Sequence, residues 1–479
     1  MSNEPSPTRQ TPAFLTVTAI ALVFVVALAR GLGSVEEPDT WWHIRVGEYL
    51  LDTRRLVWPD PWAPFTDKPY VATQWLPEAI AAQLYRWFGL GGVLWLRAVA
   101  VVALTLVVYA ACRRFGGRLA AALGAGVAIV GASASLNPRP QLVSFVLFAV
   151  VVGAWIDTAR DRRARWWLVP LFWLWACSHG LWMFGVLVGV VTTVGLLPEA
   201  VRAGELRPFL RRFAALHLAC VLALLVTPLG PRLILAPFTV AANAAGIAEE
   251  WAPTPVNNAF SFITMTAIVG IATCWLLRPR RRPMWMYLWL ALSAGLTLYM
   301  WRLVPLGVIL VAPLLTDALQ ELVTGARERV SRPERRALVG ATVAALLIAA
   351  GVCATPHGRT AFGYPDRMGA ISAALDQTPA GSVVMPDFGV SGWLIYAHPE
   401  LAPAADLRME SYSPIYFQRY LDAGNAQPGW QDFVRDVRAR YALVERTSAL
   451  ADALVREARW QLVATSPQFV LLRAPAAGS

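Results

Sequence analysis

Residues 34–51 read SVEEPDTWWHIRVGEYLL and follow directly on the apolar run 14–29. They set Glu36, Glu37 and Asp39, two tryptophans and His43 within a few positions of each other. Carboxylates beside a histidine can move a proton or hold a cation, whereas tryptophans at such a boundary commonly anchor a helix among lipid headgroups. Asp39 and His43 are four apart, so a helix begun by TWWHIRVGEYLL puts both on one face with Asp39 near its N-cap, the plain structural role for such an aspartate. Trp41 and Trp42 suit an aromatic belt better than a sugar-stacking platform. The HIRVGE context of His43 does not match the HExxH metalloprotease motif, and a hydrogen-bonded interface histidine is the plainer reading.

Similar residue types recur in other polar segments. Arg139 lies between two prolines in NPRP, a rigid turn able to fix a guanidinium for bidentate phosphate recognition; snorkelling to headgroups is the alternative. Arg302, after Trp301, has the same two readings. His179 and Gly180 share a three-residue turn in which glycine allows a close approach or simply ends a helix. Glu249, Glu250 and Trp251 close a loop rich in Pro, Asn and Gly, and carboxylates beside an indole suit sugar hydroxyls or a bound cation. Asp60 and Glu78 are further candidate acids of segment 33–92. No Walker motif, GxSxG elbow or GxGxxG occurs in a strand–helix context, which counts against an ATPase, a serine hydrolase and a Rossmann oxidoreductase.

The elements that must position these residues are membrane helices. Of 479 residues 57% are hydrophobic and only 15% charged, with mean hydropathy +0.48, which excludes a soluble globular domain. Apolar runs near 13–32, 93–111, 119–135, 141–157, 166–178, 181–198, 213–227, 261–277, 284–300, 303–317 and 337–354 predict about eleven transmembrane helices. The first run is long enough to span and lacks a small-residue cleavage site, so it reads as a helix and not a signal peptide. The cations are nearly all arginine, Lys68 being the one lysine, and they fill alternate loops: 113–118, 160–165, 202–212, 278–282 and 327–336. That spacing is topological and argues against nucleic acid as a partner; by the positive-inside rule these loops are cytoplasmic. The amino terminus is then inside, while segments 33–92, 137–141, 178–180, 228–260, the turn at Arg302 and everything after Cys353 face outward over a shared cavity, in a multi-pass protein of the cell membrane. The five cysteines fall in or at the ends of apolar segments, indicating neither a disulfide framework nor a cysteine zinc site.

Within the first outer segment, VGEYLLDT and PEAIAAQLYRWFG predict two interfacial helices around a Pro- and Trp-rich loop. From residue 356 the composition changes. Strand-like SVVM, YALVER, QLVATS and FVLLRA alternate with helical VSGWLIYAH, WQDFVRDVRAR and SALADALVREA, predicting a small extracytoplasmic α/β domain over 356–479 after a bundle over 1–355; only the tail APAAGS reads as disordered.

Several of these stretches carry a family resemblance. PDTWWHIRVGEYLL, WPDPWAPFT, QWLPEAIAAQLYRWFG, NPRPQLVSF, the SHG turn, TPLGPRLILAPF, AEEWAPT and MPDFGVSGWLIYAHPELAPAADLRMESYSPIYFQRYL resemble successive blocks of a bacterial polytopic family similar to the GT-C superfamily of lipid-phosphosugar-dependent glycosyltransferases. The resemblance implies transfer of a sugar from a polyprenyl-phosphate donor to a cell-envelope acceptor at the membrane lipid surface. It further implies that a carboxylate of the first outer loop, here Asp39, is the catalytic base or helps hold a divalent cation such as Mg or Mn. Pro38 separates Glu37 from Asp39, a departure from the adjacent acids of that superfamily. On this reading Glu37, His43, Asp60, Arg139, His179, Glu250, Trp251 and Arg302 contact substrate. A non-enzymatic scaffold or lipid-linked-glycan transporter is the rival, although the predicted spans carry few of the midplane charges that a transport path needs.

Overall fold

Long apolar runs free of charge can satisfy their backbone polar groups in lipid only by becoming helices, and the computed structural model of the protein is built on that rule. It describes residues 13–66, 68–244, 249–255, 257–322 and 330–475. Arg327, Arg329 and most of the tail APAAGS lie outside the described residues, as does the side chain of Glu249. The chain divides into two compact units: Met1–Gly33, Leu94–Pro237 and Ala245–Thr355 form the first; Ser34–Val93, Phe238–Ala244 and Pro356–Ser479 form the second.

Among the described residues seven helices are long and apolar enough to cross a membrane: Trp75–Cys112, Gln141–Asp161, Trp182–Arg202, Leu206–Val226, Ala259–Leu277, Trp301–Leu322 and Arg332–Cys353. Val17–Leu32, Arg118–Gly131 and Met284–Tyr299 are shorter apolar helices. The run at 166–178 forms a helix only over Leu168–Ala176, whose nine residues rise roughly 14 Å and fall short of a ~30 Å hydrocarbon layer.

In the first unit the hub is Val304–Leu322, buried over most of its length and packed on Arg118–Gly131, Gln141–Asp161, Ala259–Leu277 and Met284–Tyr299. Where burial in lipid gives no hydrophobic gain between helices, polar side chains join them. Trp289 Nε1 donates to Thr192 Oγ1 at 2.8 Å, Trp175 Nε1 to Ser144 Oγ at 2.8 Å, and Ser293 Oγ to the Gly307 carbonyl at 2.7 Å.

The second unit begins with the helix Asp39–Thr53. Gly47 allows it to touch the next helix, because a Cβ there would stand 2.2 Å from the Glu78 carbonyl oxygen. A two-residue hairpin follows, β1 (Val57–Trp58) antiparallel to β2 (Tyr70–Val71). The expected helix at PEAIAAQLYRWFG does form. Gly89, with φ 59° and ψ −151°, kinks the chain and the helix continues to Cys112, so Gly89 supplies a bend that other residues resist.

The carboxy-terminal residues give a five-stranded sheet of β3 (Val383–Pro386), β4 (Ala402–Pro403), β5 (Tyr441–Glu445), β6 (Gln461–Thr465) and β7 (Phe469–Arg473). Its order is β4-β3-β5-β7-β6, with β3 parallel to β4 and β5, and β7 antiparallel to β5 and β6. Burial explains the order: β3, β5 and β7 are mostly buried and central, while β6 is largely exposed at the edge. The strand-like runs read in the sequence are these strands; β4 adds a short edge. Val35 bridges Phe362, and the helix Ser391–Ala397 packs on Asp39–Thr53, so the first long loop and the carboxy-terminal region share one core.

Candidate active site

Two constellations, one in each unit, contain the residues singled out by type and spacing. In the first unit the turn at 137–140 is held rigidly. Arg97 Nε donates to the Leu136 carbonyl at 2.6 Å, Arg139 N to the Asn137 carbonyl at 2.8 Å, and Pro140 stands at the start of Gln141–Asp161. The loop carrying Glu250 is strapped to the turn carrying Arg302, since Trp301 N donates to the Ala252 carbonyl at 3.2 Å and Thr254 N to the Leu298 carbonyl at 3.4 Å.

These anchors bring together four residues drawn from four separate segments. Glu250 accepts from Arg302 Nη1 through Oε1 and from Arg139 Nη1 through Oε2, the latter at 3.5 Å. Arg302 Nη2 lies 3.3 Å from His179 Nε2, and its guanidinium stands 5.2 Å from the ring centre of Trp251. His179 Nδ1 lies 3.2 Å from Leu181 N–H, which can donate to it. Guanidiniums gathered in this way suit an anionic oxygen. Burial pushes the Glu250 carboxyl up, but Arg302 and Arg139 outweigh it and hold it below the usual carboxylate range. Among the described side chains, two guanidiniums face this one carboxylate.

In the second unit Asp39 is the first residue of its helix, and Pro38 occupies the N-cap without a side-chain cap bond. Asp39 Oδ1 instead accepts from Trp42 Nε1 at 2.9 Å, while Glu37 Oε1 accepts from Asp39 N at 3.5 Å. Trp42 lies 3.6 Å, centre to centre, from the His43 ring, and His43 Nδ1 is 2.8 Å from Glu78 Oε1 in a buried pair. Trp41 is fully buried against Phe362 and Tyr396. The indoles here are core and scaffold, and Trp42 fixes the Asp39 carboxylate.

Asp60 is placed quite differently. Its carboxylate is fully buried, 2.6 Å from Nη1 of an equally buried Arg408. Arg408 also binds Asp406 through Nη2 at 2.8 Å and Nε at 3.0 Å, and Tyr412 OH donates to Asp406 at 2.8 Å. The rings of Tyr70 and Trp62 flank the guanidinium at 5.0 and 5.6 Å. Burial raises the Asp60 pKa, with Arg408 opposing and Asp406 adding to the rise. An acid sealed in this way clamps the loop to the carboxy-terminal region and has no surface for substrate.

Glu410 was given no role on sequence grounds. Withdrawal from water pushes its pKa up to about 7; its own backbone amide and Arg408 oppose this, and the charges of Asp406 and Asp39 add to it. It is a carboxyl able to exchange a proton near neutrality, in the field of Asp39. A raised acid pKa means that the folded form holds the proton more tightly, so its stabilising contribution is complete below the unfolded pKa of ~4.3 and is lost as pH rises through about 7. Thermal unfolding should therefore show a midpoint that falls between pH 5 and 7.5. Glu410→Gln should flatten that fall, and an identical slope in the variant would refute it.

Among the described residues no three His, Cys, Asp or Glu side chains come together as a metal site requires.

The chain shares its fold with solved oligosaccharyltransferase and ArnT structures. The chain is similar to the oligosaccharyltransferase of Archaeoglobus fulgidus tethered with an acceptor peptide containing the NVT sequon, at 12% identity and TM-score 0.57 over 91% of this chain and 69% of that one. The same organism's oligosaccharyltransferase AglB in complex with an inhibitory peptide and a dolichol-phosphate gives 12% and 0.57, over 90% and 69%. ArnT from Cupriavidus metallidurans bound to undecaprenyl phosphate gives 14% and 0.53, over 98% and 99%. No family model matches the sequence, and no curated protein matches it.

Proposed function

We propose that the protein is an integral membrane glycosyltransferase that takes a sugar from a polyprenyl-phosphate carrier and passes it to a cell-envelope acceptor. The observation carrying this reading is the Arg139–Glu250–Arg302–His179 cluster, an anion-accepting group of donors built from four separate segments. The dolichol-phosphate and undecaprenyl phosphate bound by structures of the same fold support a lipid phosphate as that anion.

In this mechanism the bond from the anomeric carbon to the phosphate oxygen breaks while a bond to the acceptor oxygen forms. Arg139 and Arg302, with His179 beside them, take the charge that develops on the leaving lipid phosphate. Glu250 and Trp251 hold the two guanidiniums in position and border the sugar. Asp39 receives the acceptor's proton, with Glu37, His43 and Trp42 setting its orientation. In this reading, supported by the arginine-rich loops, the amino terminus is cytoplasmic and residues beyond 356 lie outside, with about eleven helices proposed in the membrane.

The test is incubation of purified protein with a panel of radiolabelled polyprenyl-phosphate sugars, with and without divalent cations, scoring release of lipid phosphate. Release from one donor is expected; none from any donor would end the proposal. Arg302→Gln should lower kcat/KM for that donor by about a hundredfold, the loss typical of one oxyanion donor. An unchanged value would remove Arg302 from the phosphate site.

A further inference from the structure

The carboxy-terminal region holds a side-chain cluster that sugar transfer does not use. Half of it comes from the helix Gly369–Leu375 and the residue after it, where Ser372 and Asp376 are four apart and share a face. The other half is the turn that ends Ser391–Ala397. Pro399 keeps the residue before it out of helical backbone, so His398 stands at φ −132° and ψ 63°, with Glu400 just beyond. Backbone bonds fasten both halves to one edge of the sheet. Gly381 N donates to the Glu400 carbonyl at 2.8 Å, and Ala402 N, in β4, to the Ser382 carbonyl at 3.0 Å, one residue before β3.

The side chains then meet around the imidazole. Ser372 Oγ lies 3.0 Å from His398 Nε2, whereas a serine inside a helix commonly returns its hydroxyl to a carbonyl of the preceding turn. Nδ1 of His398 faces Asp376 Oδ1 at 3.4 Å and Glu400 Oε1 at 3.5 Å, and the Trp393 ring stands edge-on at 5.5 Å. In the tautomer that carries its proton on Nδ1, toward the carboxylates, Nε2 accepts from the Ser372 hydroxyl. A hydroxyl within reach of a base that a third group orients is the arrangement of an activated nucleophile. The imidazole is buried and the serine only half-buried, so the base is shielded while the hydroxyl can be reached.

We propose that Ser372 and His398, oriented by Asp376 and Glu400, form a second catalytic site that cleaves uncharged carboxylic esters. The two acids are 67% and 44% exposed and rim the site with negative charge, which disfavours an anionic substrate. In the first step the Ser372 oxygen bonds to the ester carbonyl carbon, its proton passes to His398 Nε2, and the carbon–oxygen bond to the alcohol breaks as that proton is handed to the leaving oxygen. Water then attacks the acyl-serine, again giving its proton to Nε2. The carboxylic acid departs and Ser372 recovers its hydrogen, so ester and water become acid and alcohol.

The full chain in detergent, incubated with a fluorophosphonate probe whose phosphorus takes the serine oxygen as fluoride leaves, tests this when the modified residue is mapped by peptide mass spectrometry. Labelling at Ser372 is expected, together with hydrolysis of 4-nitrophenyl acetate that Ser372→Ala abolishes. His398→Gln should slow labelling about a hundredfold, the lower end of what a general base contributes. Asp376→Asn combined with Glu400→Gln should also slow it while the thermal midpoint hardly moves, since exposed carboxylates contribute little to stability. No labelling at Ser372, a rate unchanged in His398→Gln, or a double variant that labels as fast as the wild type would each overturn the assignment and leave the cluster as a tie between helix and turn. No sugar donor enters these measurements, so their result and that of the donor panel stand apart.

Discussion

Asp39→Asn should reduce sugar transfer by roughly two to four orders of magnitude while leaving the protein folded, if Asp39 is the group that takes the acceptor's proton. Asparagine is the informative substitution, because its amide oxygen can still accept from Trp42 Nε1, a bond that measures 2.9 Å in the native chain. What it removes is the charge and the basicity. The measurement is kcat with a saturating polyprenyl-phosphate sugar, beside size-exclusion behaviour in detergent as a control for folding. Turnover within about threefold of the wild type would remove the proton-transfer role, since general-base catalysis is worth far more than that.

Arg408→Leu should be the most damaging single change in the second unit. It leaves Asp60 and Asp406, both carboxylates fully buried, without the cation that each faces at 2.6 and 2.8 Å. Breaking a buried charge network from one side costs about 3–5 kcal/mol. In a domain of this size that is a fall on the order of 10 °C in Tm. A triple variant in which Asp60 and Asp406 also become asparagine should recover much of the loss, because the uncompensated charges are gone. A single variant that melts with the wild type would show that the network contributes nothing, and a triple variant no better than the single would show that packing, not charge, is what Arg408 supplies.

Much of the architecture was legible in the sequence, for a physical reason. Uncharged apolar runs and alternating strand and helix patterns are local, and SVVM, YALVER, QLVATS and FVLLRA became β3, β5, β6 and β7 at nearly the boundaries read. Length limited the reading at 166–178, where hydropathy cannot see that Trp166 and Trp167 precede a helix of only nine residues. It also missed the continuity through Gly89, since a Gly in an interfacial stretch reads equally as an end and as a kink.

The site residues divide in the same way. Arg139, His179, Glu250 and Arg302 attracted notice because each is polar in a short turn between apolar runs, and the structure puts them in contact with one another. Asp60 attracted notice for the same reason, but its partner lies far along the chain in MESYSP's neighbour Arg408 and no local pattern announces it. Glu410 was hidden more completely. A glutamate's pKa is decided by what surrounds it in space, and nothing in its immediate sequence distinguishes it from a solvated loop acid.

The clamp between Asp60 and Arg408 also sets an order of events during synthesis. The second unit is assembled chiefly from residues 34–93 and 356–479, separated by about 260 residues that belong almost entirely to the first unit. At ribosomal speeds of about 5–20 residues per second, the early half waits from roughly a dozen seconds to most of a minute for its partner. Through that interval Trp58, Trp62 and Tyr70 can already pack with Trp42, Val46 and Leu50, but Asp60 waits for the Arg408 cation until the last quarter of the chain arrives.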